Sequence, residues 1–334
     1  MLNKLAGKSI LVTGHTGFKG AWLTELLLFL GAKVTGAALD PEPNSLYENL
    51  SLSERINDFR LDVRDLSAIR HVVAQAKPDL VIHLAAQSLV SIGRSEPVET
   101  FSTNIMGTVN LLEAVRQLSD APTLVVTSDK CYWPSLSPCQ VGDTLGGKDP
   151  YSASKAAVEI VVQSYRNSFG MPIATARAGN AIGGGDWGKN RLIPDIMRAK
   201  YHGRKVVIRH PNAQRPWQHV LDLSWGYVVL SSYLLQGKAC RAWNFGPSLS
   251  VSVRQMIDVL GVSSAVSYAE NPPPETMSLR LQPDETSQKL GWKNKLDWRL
   301  AVQWTAQDYQ SLHENPTGFH QWIQQRIREY IKMS

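Results

Sequence analysis

Short apolar runs alternate with helix-length amphipathic stretches through the first half of the chain. Ser9 to Thr13 is apolar at consecutive positions, the pattern of a strand buried on both faces of a parallel sheet. Gly14 to Gly20 is a glycine-rich turn, Ala21 to Leu30 a strongly apolar helix-forming run, and Lys33 to Ala38 a second strand. That order is a βαβ unit. Leu66 to Ala76 predicts a helix, and Leu80 to Leu84 a strand after the Pro78-Asp79 turn. Between Asn104 and Gln117, the residues Met106, Val109, Leu112 and Val115 share one helical face. Thr123 to Thr127 predicts another strand. Asp149 can cap the next helix, with Pro150 at its first position. That helix runs to about Phe169, and Ile173 to Arg177 follows as a strand. The alternation predicts an α/β protein with a Rossmann fold, a doubly wound parallel sheet with helices on both faces.

Past Asn180 the pattern changes. Segments shorten, and Gly, Pro and Trp become frequent, as in Gly183-Gly184-Gly185-Asp186-Trp187 and Asn271-Pro272-Pro273-Pro274. The expected division is a dinucleotide-binding domain over 1–179 and a smaller mixed C-terminal lobe over 180–334 that covers the open edge of the sheet. A segment near 218–246 is a candidate to return to the first domain. The chain after His313 reads as a terminal helix.

Composition narrows the classes. The chain has 334 residues, 43% hydrophobic and 19% charged, with a net charge of +6. The basic charge is dispersed rather than gathered into tracts, so no nucleic-acid partner is expected. The longest apolar run, Leu26 to Leu30, is far too short to span a bilayer, so no membrane is expected either. The cysteines, Cys131, Cys139 and Cys240, are odd in number and lack paired spacing. They suggest neither a disulfide framework nor a metal site. With no visible secretory segment, the expected setting is cytoplasmic.

The glycines of the first turn stand at 14, 17 and 20, in Gly14-His15-Thr16-Gly17-Phe18-Lys19-Gly20. Such triplets arise by chance, but this one lies between the first strand and the first helix. There the backbone can approach a pyrophosphate, and the helix N-terminus supplies N–H donors. His15 is expected near the cofactor phosphates. Asp40, twenty residues beyond Gly20, suits a ribose diol, although the strand end can also fall at Ala38. No arginine stands beside it in the sequence to greet a 2′-phosphate, which favours NAD over NADP. Asp62, followed by Val63, suits either an adenine amino group or a solvated loop. Leu84, Ala85, Ala86 and Gln87 close a later strand with small residues, as a backbone passing under a cofactor needs, though Ala85 and Ala86 also suit plain packing.

Tyr151 and Lys155 are four residues apart on one helical face. An ammonium beside a phenol favours the phenolate, and such a tyrosine can take the hydroxyl proton of an alcohol while hydride leaves its carbon. A Tyr-x-x-x-Lys pair alone is common on surface helices. Its place at the mouth of a parallel sheet with a dinucleotide turn gives it weight.

These motifs, with Asn104, the Ser128 position and Tyr151-Ser-Ala-Ser-Lys155, resemble the extended short-chain dehydrogenase/reductase family over nearly the whole chain. Within it the nearest likeness is to the CDP-glucose 4,6-dehydratases. Ser95-Glu96-Pro97-Val98-Glu99-Thr100, Thr127-Ser128-Asp129-Lys130-Cys131-Tyr132, Arg177 to Trp187 and Arg215-Pro216-Trp217-Gln218-His219-Val220 carry that likeness. The resemblance implies NAD and a nucleotide-sugar substrate, CDP-glucose, oxidised at C4, dehydrated across C5 and C6, and reduced at C6. Ser128 would hold the C4 oxygen with Tyr151, and Asp129 would protonate the departing C6 hydroxyl. Lys130, where many sugar dehydratases carry glutamate, would act as base if burial or a nearby cation lowers its pKa. Without that context, Asp129 and Lys130 read as two solvated charges at a strand end.

For the substrate, Arg191 and Arg215 are candidates for the diphosphate, and Asn180 and Gln87 for sugar or phosphate oxygens. Trp187 and Trp217 suit cytidine stacking and plain core packing equally. His219 is a further candidate, although it and His210 more often belong to core or surface. A homodimer through the helix from Tyr151 to Phe169 is also implied. The chain departs from the likeness after Tyr132, at Trp133-Pro134-Ser135-Leu136-Ser137-Pro138-Cys139. Two other readings stay open: a 4-epimerase or a dehydratase for a GDP-, dTDP- or UDP-sugar, and a non-catalytic NAD-binding scaffold. Asp129-Lys130 speaks against the epimerase, and the retained Tyr151 and Lys155 against the scaffold.

Overall fold

The computed structural model describes residues 4–133, 138–188, 190–270 and 280–333. The Asn271-Pro272-Pro273-Pro274 segment and most of the divergent loop after Trp133 lie outside the described residues. Strand β1 is Ser9–Thr13, helix α1 Phe18–Phe29, β2 Lys33–Ala38, β3 Asn57–Arg60, α2 Leu66–Ala76 and β4 Leu80–His83. Helix α3 (Gly107–Leu118) leads to β5 (Thr123–Val126), α4 (Pro150–Phe169) and β6 (Ile173–Ala178). Helix α5 is Leu192–Tyr201, α6 Val220–Leu234, β7 Ala242–Phe245, α7 Trp298–Glu314 and α8 Phe319–Lys332.

The main sheet of the described residues is parallel, in the order β7-β6-β5-β4-β1-β2-β3. The continuous apolar runs of β1 and β4 are buried because helices cover both faces. Helix α1 is apolar on nearly every side, and Ala21 to Leu27 are buried, since it lies between the sheet and the helices α6 and α8. Each of its buried leucines contributes roughly 1.5–3 kcal/mol.

The sheet edge beside β6 is closed by β7, a strand from within the 218–246 stretch, which pairs Ala242 with Thr175 and Phe245 with Ala178. Among the described residues, the rest of the segment past residue 180 does not pair with that edge. Its last helix instead buries Phe319, Ile323, Ile327 and Tyr330 at helical spacing, and the Tyr330 hydroxyl donates to Asp222 Oδ1 at 2.7 Å. One feature differs from the sequence reading, just before α3. The predicted start at Asn104 falls in a π-helical stretch, Ser102–Met106, continuous with a short helix over Pro97–Phe101. Such bulges sit often at functional sites.

The strand order reverses between β1 and β4. The C-terminal ends of β1, β4, β5 and β6 open there into one cleft, as expected for a doubly wound sheet.

Candidate active site

The cleft begins where β1 must turn at once into α1. Gly14 takes a φ of +75°, and a Cβ there would stand 2.6 Å from Ala85 N. At Gly20 a Cβ would stand 2.1 Å from Gly14 O, because the helix packs directly on its own turn. Gly17 is different: its nearest neighbour is 3.5 Å away and it faces the cleft. It is the N-cap of α1, with no capping side chain and no acid in the first turn. The first N–H groups of α1 thus have no side-chain acceptor, and the positive end of the helix dipole faces the opening. This cradle fits a pyrophosphate. Phe18 lines the same wall beneath the Arg191 guanidinium, 5.9 Å from its ring centroid.

His15 is not part of that cradle. Its side chain is wholly buried, with Nε2 2.8 Å from Asp58 Oδ1 and the ring edge-on to Tyr47. Burial lowers its pKa, with Asp58 opposing. The expectation that it reaches the cofactor phosphates is corrected: the sharp turn at Gly14 directs it under β2, against Gly36.

Farther along, Ala38, Leu39, Asp62 and Val63 line the cleft. Asp62 binds Arg64 through both its backbone N–H (2.8 Å) and Nε (2.8 Å), which holds its carboxyl below the usual range. Asp40 lies outside this lining with its side chain 90% exposed, because β2 ends at Ala38. The reading that no arginine stands beside it is also corrected. Pairing of β2 with β3 brings Arg60 Nε within 3.7 Å of Asp40 Oδ1.

At the end of β4, Leu84, Ala85, Ala86 and Gln87 line the cleft. The Gln87 N–H donates to Asn104 Oδ1 (2.8 Å), and its side-chain amide donates to Thr100 Oγ1 (2.7 Å). Asn104 is buried behind that wall. Its amide donates to Gln87 O (3.0 Å) and Ser154 Oγ (2.8 Å). Its hydrogen-bonding capacity is therefore spent on tying the β4 loop to α4, and it does not reach the cleft as the cofactor contact expected of it.

The reaction-centre candidates meet across β5 and α4. Asp149 caps α4 by accepting from Ser152 N at 3.0 Å, which places Tyr151 and Lys155 one turn apart facing the cleft. Lys155 Nζ donates to Val126 O at 3.4 Å. Beyond Val126 the chain turns through Asp129–Cys131, where the Ser128 hydroxyl donates to Asp129 Oδ1 (2.8 Å) and accepts from Lys130 N (3.2 Å). Burial raises the Asp129 pKa, against the charge of Lys130, the Ser128 hydrogen bond and the charge of Lys19. Lys130 is half-buried at the same wall. Lys155 is brought down to about 8, by burial first and then by Lys19. The spacing predicts a phenolate favoured by Lys155. Instead burial dominates, and Tyr151 is pushed up to about 12, with the Ser128 side chain opposing.

A buried network anchors this turn. Glu159 Oε2 accepts from Arg177 Nη2 (2.9 Å) and from the Thr175 hydroxyl (2.8 Å), and Thr127 donates to Glu159 Oε1 (2.5 Å). Arg177 continues to the Tyr132 hydroxyl at 2.8 Å. Glu159 on α4 and Thr175 on β6 give no signal in the sequence, because only the pairing of β5 with β6 and the packing of α4 bring them to Thr127.

The second half of the cleft is lined by Asn180, Arg191, Arg215 and Trp217. Arg191 Nη1 pairs with Asp186 Oδ2 at 3.0 Å. The triple glycine before Asp186 is dictated by packing: a Cβ at Gly184 would stand 2.3 Å from Asp308 Cβ, and one at Gly183 2.7 Å from Val220 Cγ1. Trp217 is buried, yet its ring borders the cleft. Trp187 packs edge-on against Tyr309 instead. His219 is wholly buried between Trp22 and Trp304, with Nδ1 accepting from Leu221 N at 3.2 Å. It caps α6, and the expectation that it meets substrate is corrected. Among the described residues no cluster of His, Cys, Asp or Glu could hold a metal.

The cleft encloses about 1710 Å³. That exceeds the roughly 300–1,000 Å³ of a pocket for one small ligand and leaves room for two nucleotides. Residues 10–246 match the model of the NAD dependent epimerase/dehydratase family. The chain belongs to this family. It is thus an enzyme whose cofactor is NAD, and the residues of the Gly14–Gly20 turn fit that cofactor's pyrophosphate. The chain is 42% identical to a CDP-glucose 4,6-dehydratase of Salmonella typhimurium over 310 residues, 86% of each chain. It shares its fold with a UDP-glucose 4-epimerase from Brucella ovis solved with NAD (TM-score 0.82, 21% identity, 91% of this chain and 98% of that one). A dTDP-glucose 4,6-dehydratase from Bacillus anthracis, also solved with NAD, superposes with a TM-score of 0.79 (21% identity, 92% and 97% covered).

Proposed function

We propose that this enzyme is a nucleotide-sugar 4,6-dehydratase acting on CDP-glucose, forming CDP-4-keto-6-deoxyglucose. The observation that carries the reading is the shared wall of the hydride pair, Tyr151 and Lys155, with the acid–base turn Ser128-Asp129-Lys130. The 42% identical relative supports the choice of nucleotide. NAD held at the Gly14–Gly20 turn would supply the hydride acceptor for oxidation at C4 and, once reduced, the hydride donor for C6.

Ser128 and Tyr151 hold the C4 oxygen, and Tyr151 receives its proton as the phenolate, a form that burial opposes and that the Lys155 ammonium and a bound nicotinamide cation would favour. The C5 proton, acidified by the adjoining carbonyl, goes to Lys130, which the step requires as the free amine. Asp129 donates a proton to the departing C6 hydroxyl. Burial suits it to that task, because a carboxyl with a raised pKa keeps its proton nearer to neutral pH. An epimerase has no use for an acid there. Arg191 and Arg215 take the diphosphate, with Asn180 and Gln87 at sugar or phosphate oxygens and Trp217 beside the base. The residues past 180, other than the strand that rejoins the sheet, form the nucleotide-sugar lobe.

The same reading includes a homodimer. Met106, Leu118, Ile160 and Phe169 are exposed on the neighbouring helices α3 and α4 and the turn before them, and Arg116 of α3 lies over the Phe169 ring of α4. It also includes a cytoplasmic setting, in keeping with the thiols of Cys131 and Cys240 and with the nucleotide-linked substrate. Among the described residues no helix is long and apolar enough to cross a membrane.

The test is incubation of the enzyme and NAD with CDP-, dTDP-, GDP- and UDP-glucose. CDP-glucose should give a 4-keto-6-deoxy product with no net formation of reduced cofactor. Unchanged CDP-glucose beside turnover of another sugar nucleotide overturns the choice of nucleotide, and no turnover of any overturns the dehydratase reading.

A further inference from the structure

Tyr132 closes the turn that carries Asp129 and Lys130, and the dehydration steps leave its hydroxyl without a task. The turn enters from the sheet, where the Thr127 N–H donates to Ala176 O of β6 at 2.9 Å. It leaves through Tyr132, whose backbone is extended again and whose ring borders the cleft. Within the turn the Cys131 N–H donates to Ser128 O at 3.1 Å. That bond shapes the turn but does not fix where it points. The Gly146 N–H also reaches Cys131 O, at 2.9 Å, but from a loop. Cys131 and Tyr132 pack with Cys139, Ala156 and Leu281 in a small apolar cluster apart from the main core.

The link from the exit to the sheet is polar. The Tyr132 hydroxyl accepts from Arg177 Nη1 (2.8 Å) and donates to Asn244 Oδ1 (2.7 Å), and all three side chains are buried. Arg177 on β6 and Asn244 on β7 are partners in the parallel pairing, so their side chains stand on the same face of the sheet. Each has an anchor of its own. Arg177 Nη2 pairs with Glu159 Oε2 of α4 at 2.9 Å, and Asn244 Nδ2 donates to Cys139 O at 2.9 Å. One hydroxyl thus ties the exit of the turn to two strands and, through Glu159, to the helix that carries Tyr151 and Lys155.

We propose that Tyr132 is a positioning residue for elimination, its hydroxyl holding Asp129 and Lys130 in register with the hydride pair. The proposal rests on the dehydratase reading for the tasks of Asp129 and Lys130. Ser128 follows directly on Thr127 and is placed by the sheet, whereas Asp129 and Lys130 lie nearer the exit. Release of the exit therefore misplaces the acid and the base while C4 oxidation retains its groups. A misplacement of about 1 Å can cost roughly 100-fold in rate.

The experiment compares wild type with Tyr132→Phe as full chains with NAD and CDP-glucose. Phenylalanine keeps the ring at the cleft and removes the hydroxyl alone. In this variant kcat should fall about 10- to 100-fold with KM for CDP-glucose unchanged. Reduced cofactor should accumulate, because oxidation at C4 outpaces elimination. A wild-type kcat overturns the proposal. So does an equal loss of oxidation and elimination, the mark of general damage, and so does a loss seen in KM rather than kcat, the mark of a ligand contact. Hydrogen exchange at the Cys131 amide needs no turnover. It should speed up about tenfold in Tyr132→Phe relative to the amides of β1. Should the phenylalanine variant not fold, Arg177→Lys, which keeps a cation for Glu159, takes its place with the same expectations. Faster exchange in an enzyme that turns over no sugar nucleotide would uphold the tether and sink the dehydratase reading alone. Unchanged exchange overturns the tether whatever the activity.

Discussion

Ser128 donates its hydroxyl proton to Asp129 Oδ1 across 2.8 Å. The bond joins two tasks, since Ser128 also reaches Tyr151. Whatever orients the C4 oxygen for hydride transfer is therefore tied to the acid that would act at C6. The turn from Asp129 to Cys131 makes this possible by folding consecutive residues back toward the cleft.

Asp129→Asn keeps the shape and the hydrogen-bond acceptor but removes the acid. Formation of the 4-keto-6-deoxy product should fall by about 10²–10⁴-fold. Exchange of solvent deuterium into C5 of the bound substrate should persist, because Lys130 and the C4 oxidation are untouched. Product formation at the wild-type rate would remove Asp129 from the mechanism.

Tyr151→Phe should abolish hydride transfer from C4, with nucleotide-sugar affinity changed little. The check is a single-turnover measurement of reduced cofactor by absorbance. Near-normal turnover would mean that another group takes the hydroxyl proton.

Lys130→Ala should impair elimination more than C4 oxidation. Reduced cofactor should then accumulate in the variant while deuterium entry at C5 slows. If deuterium still enters at the wild-type rate, the base at C5 is a different residue.

Lys155→Met should inactivate the enzyme and stabilise its fold at neutral pH. Lys155 stands at about 8 in the fold, against 10.5 for an ordinary lysine. Below pH 8 both folded and unfolded forms hold the proton, so burying the ammonium destabilises in full. As pH rises from 8 towards 10.5, the folded form loses its proton first and the penalty fades. The variant should gain about 2 kcal/mol in urea unfolding at pH 7, and less at pH 10. A variant less stable than wild type at pH 7 would show that the Lys155 ammonium is well solvated or paired.

Much of the fold was legible because its signals are local. β1 and β2 lie where the apolar runs placed them, α2 spans the predicted Leu66 to Ala76, and the long α4 begins at its expected Asp149 cap. The misreadings have two causes. The start of α3 was misjudged because a π-helical stretch keeps the helical pattern of apolar positions. His15, Asn104 and His219 were expected at ligands because they sit inside or beside ligand motifs. Each is instead turned into the protein by a partner distant in sequence: Asp58, Ser154 and the Trp22–Trp304 pair.

The sequence by itself determined which residues share an element and a face. Gly20 is required by contact with its own turn and Gly14 by the positive φ of that turn, and the one-turn spacing of Tyr151 and Lys155 follows from helical geometry. Tertiary structure decided what stands opposite them. Pairing of β2 with β3 brought Arg60 to Asp40, and the sheet set the Gly14–Gly20 turn, Asp129 and Lys155 around one cleft. The proton affinity of each acid and base depends on the water it has lost and the charges that face it across the cleft. Those are sums over elements far apart in the chain, and they exist only once the sheet has gathered its strand ends into one place.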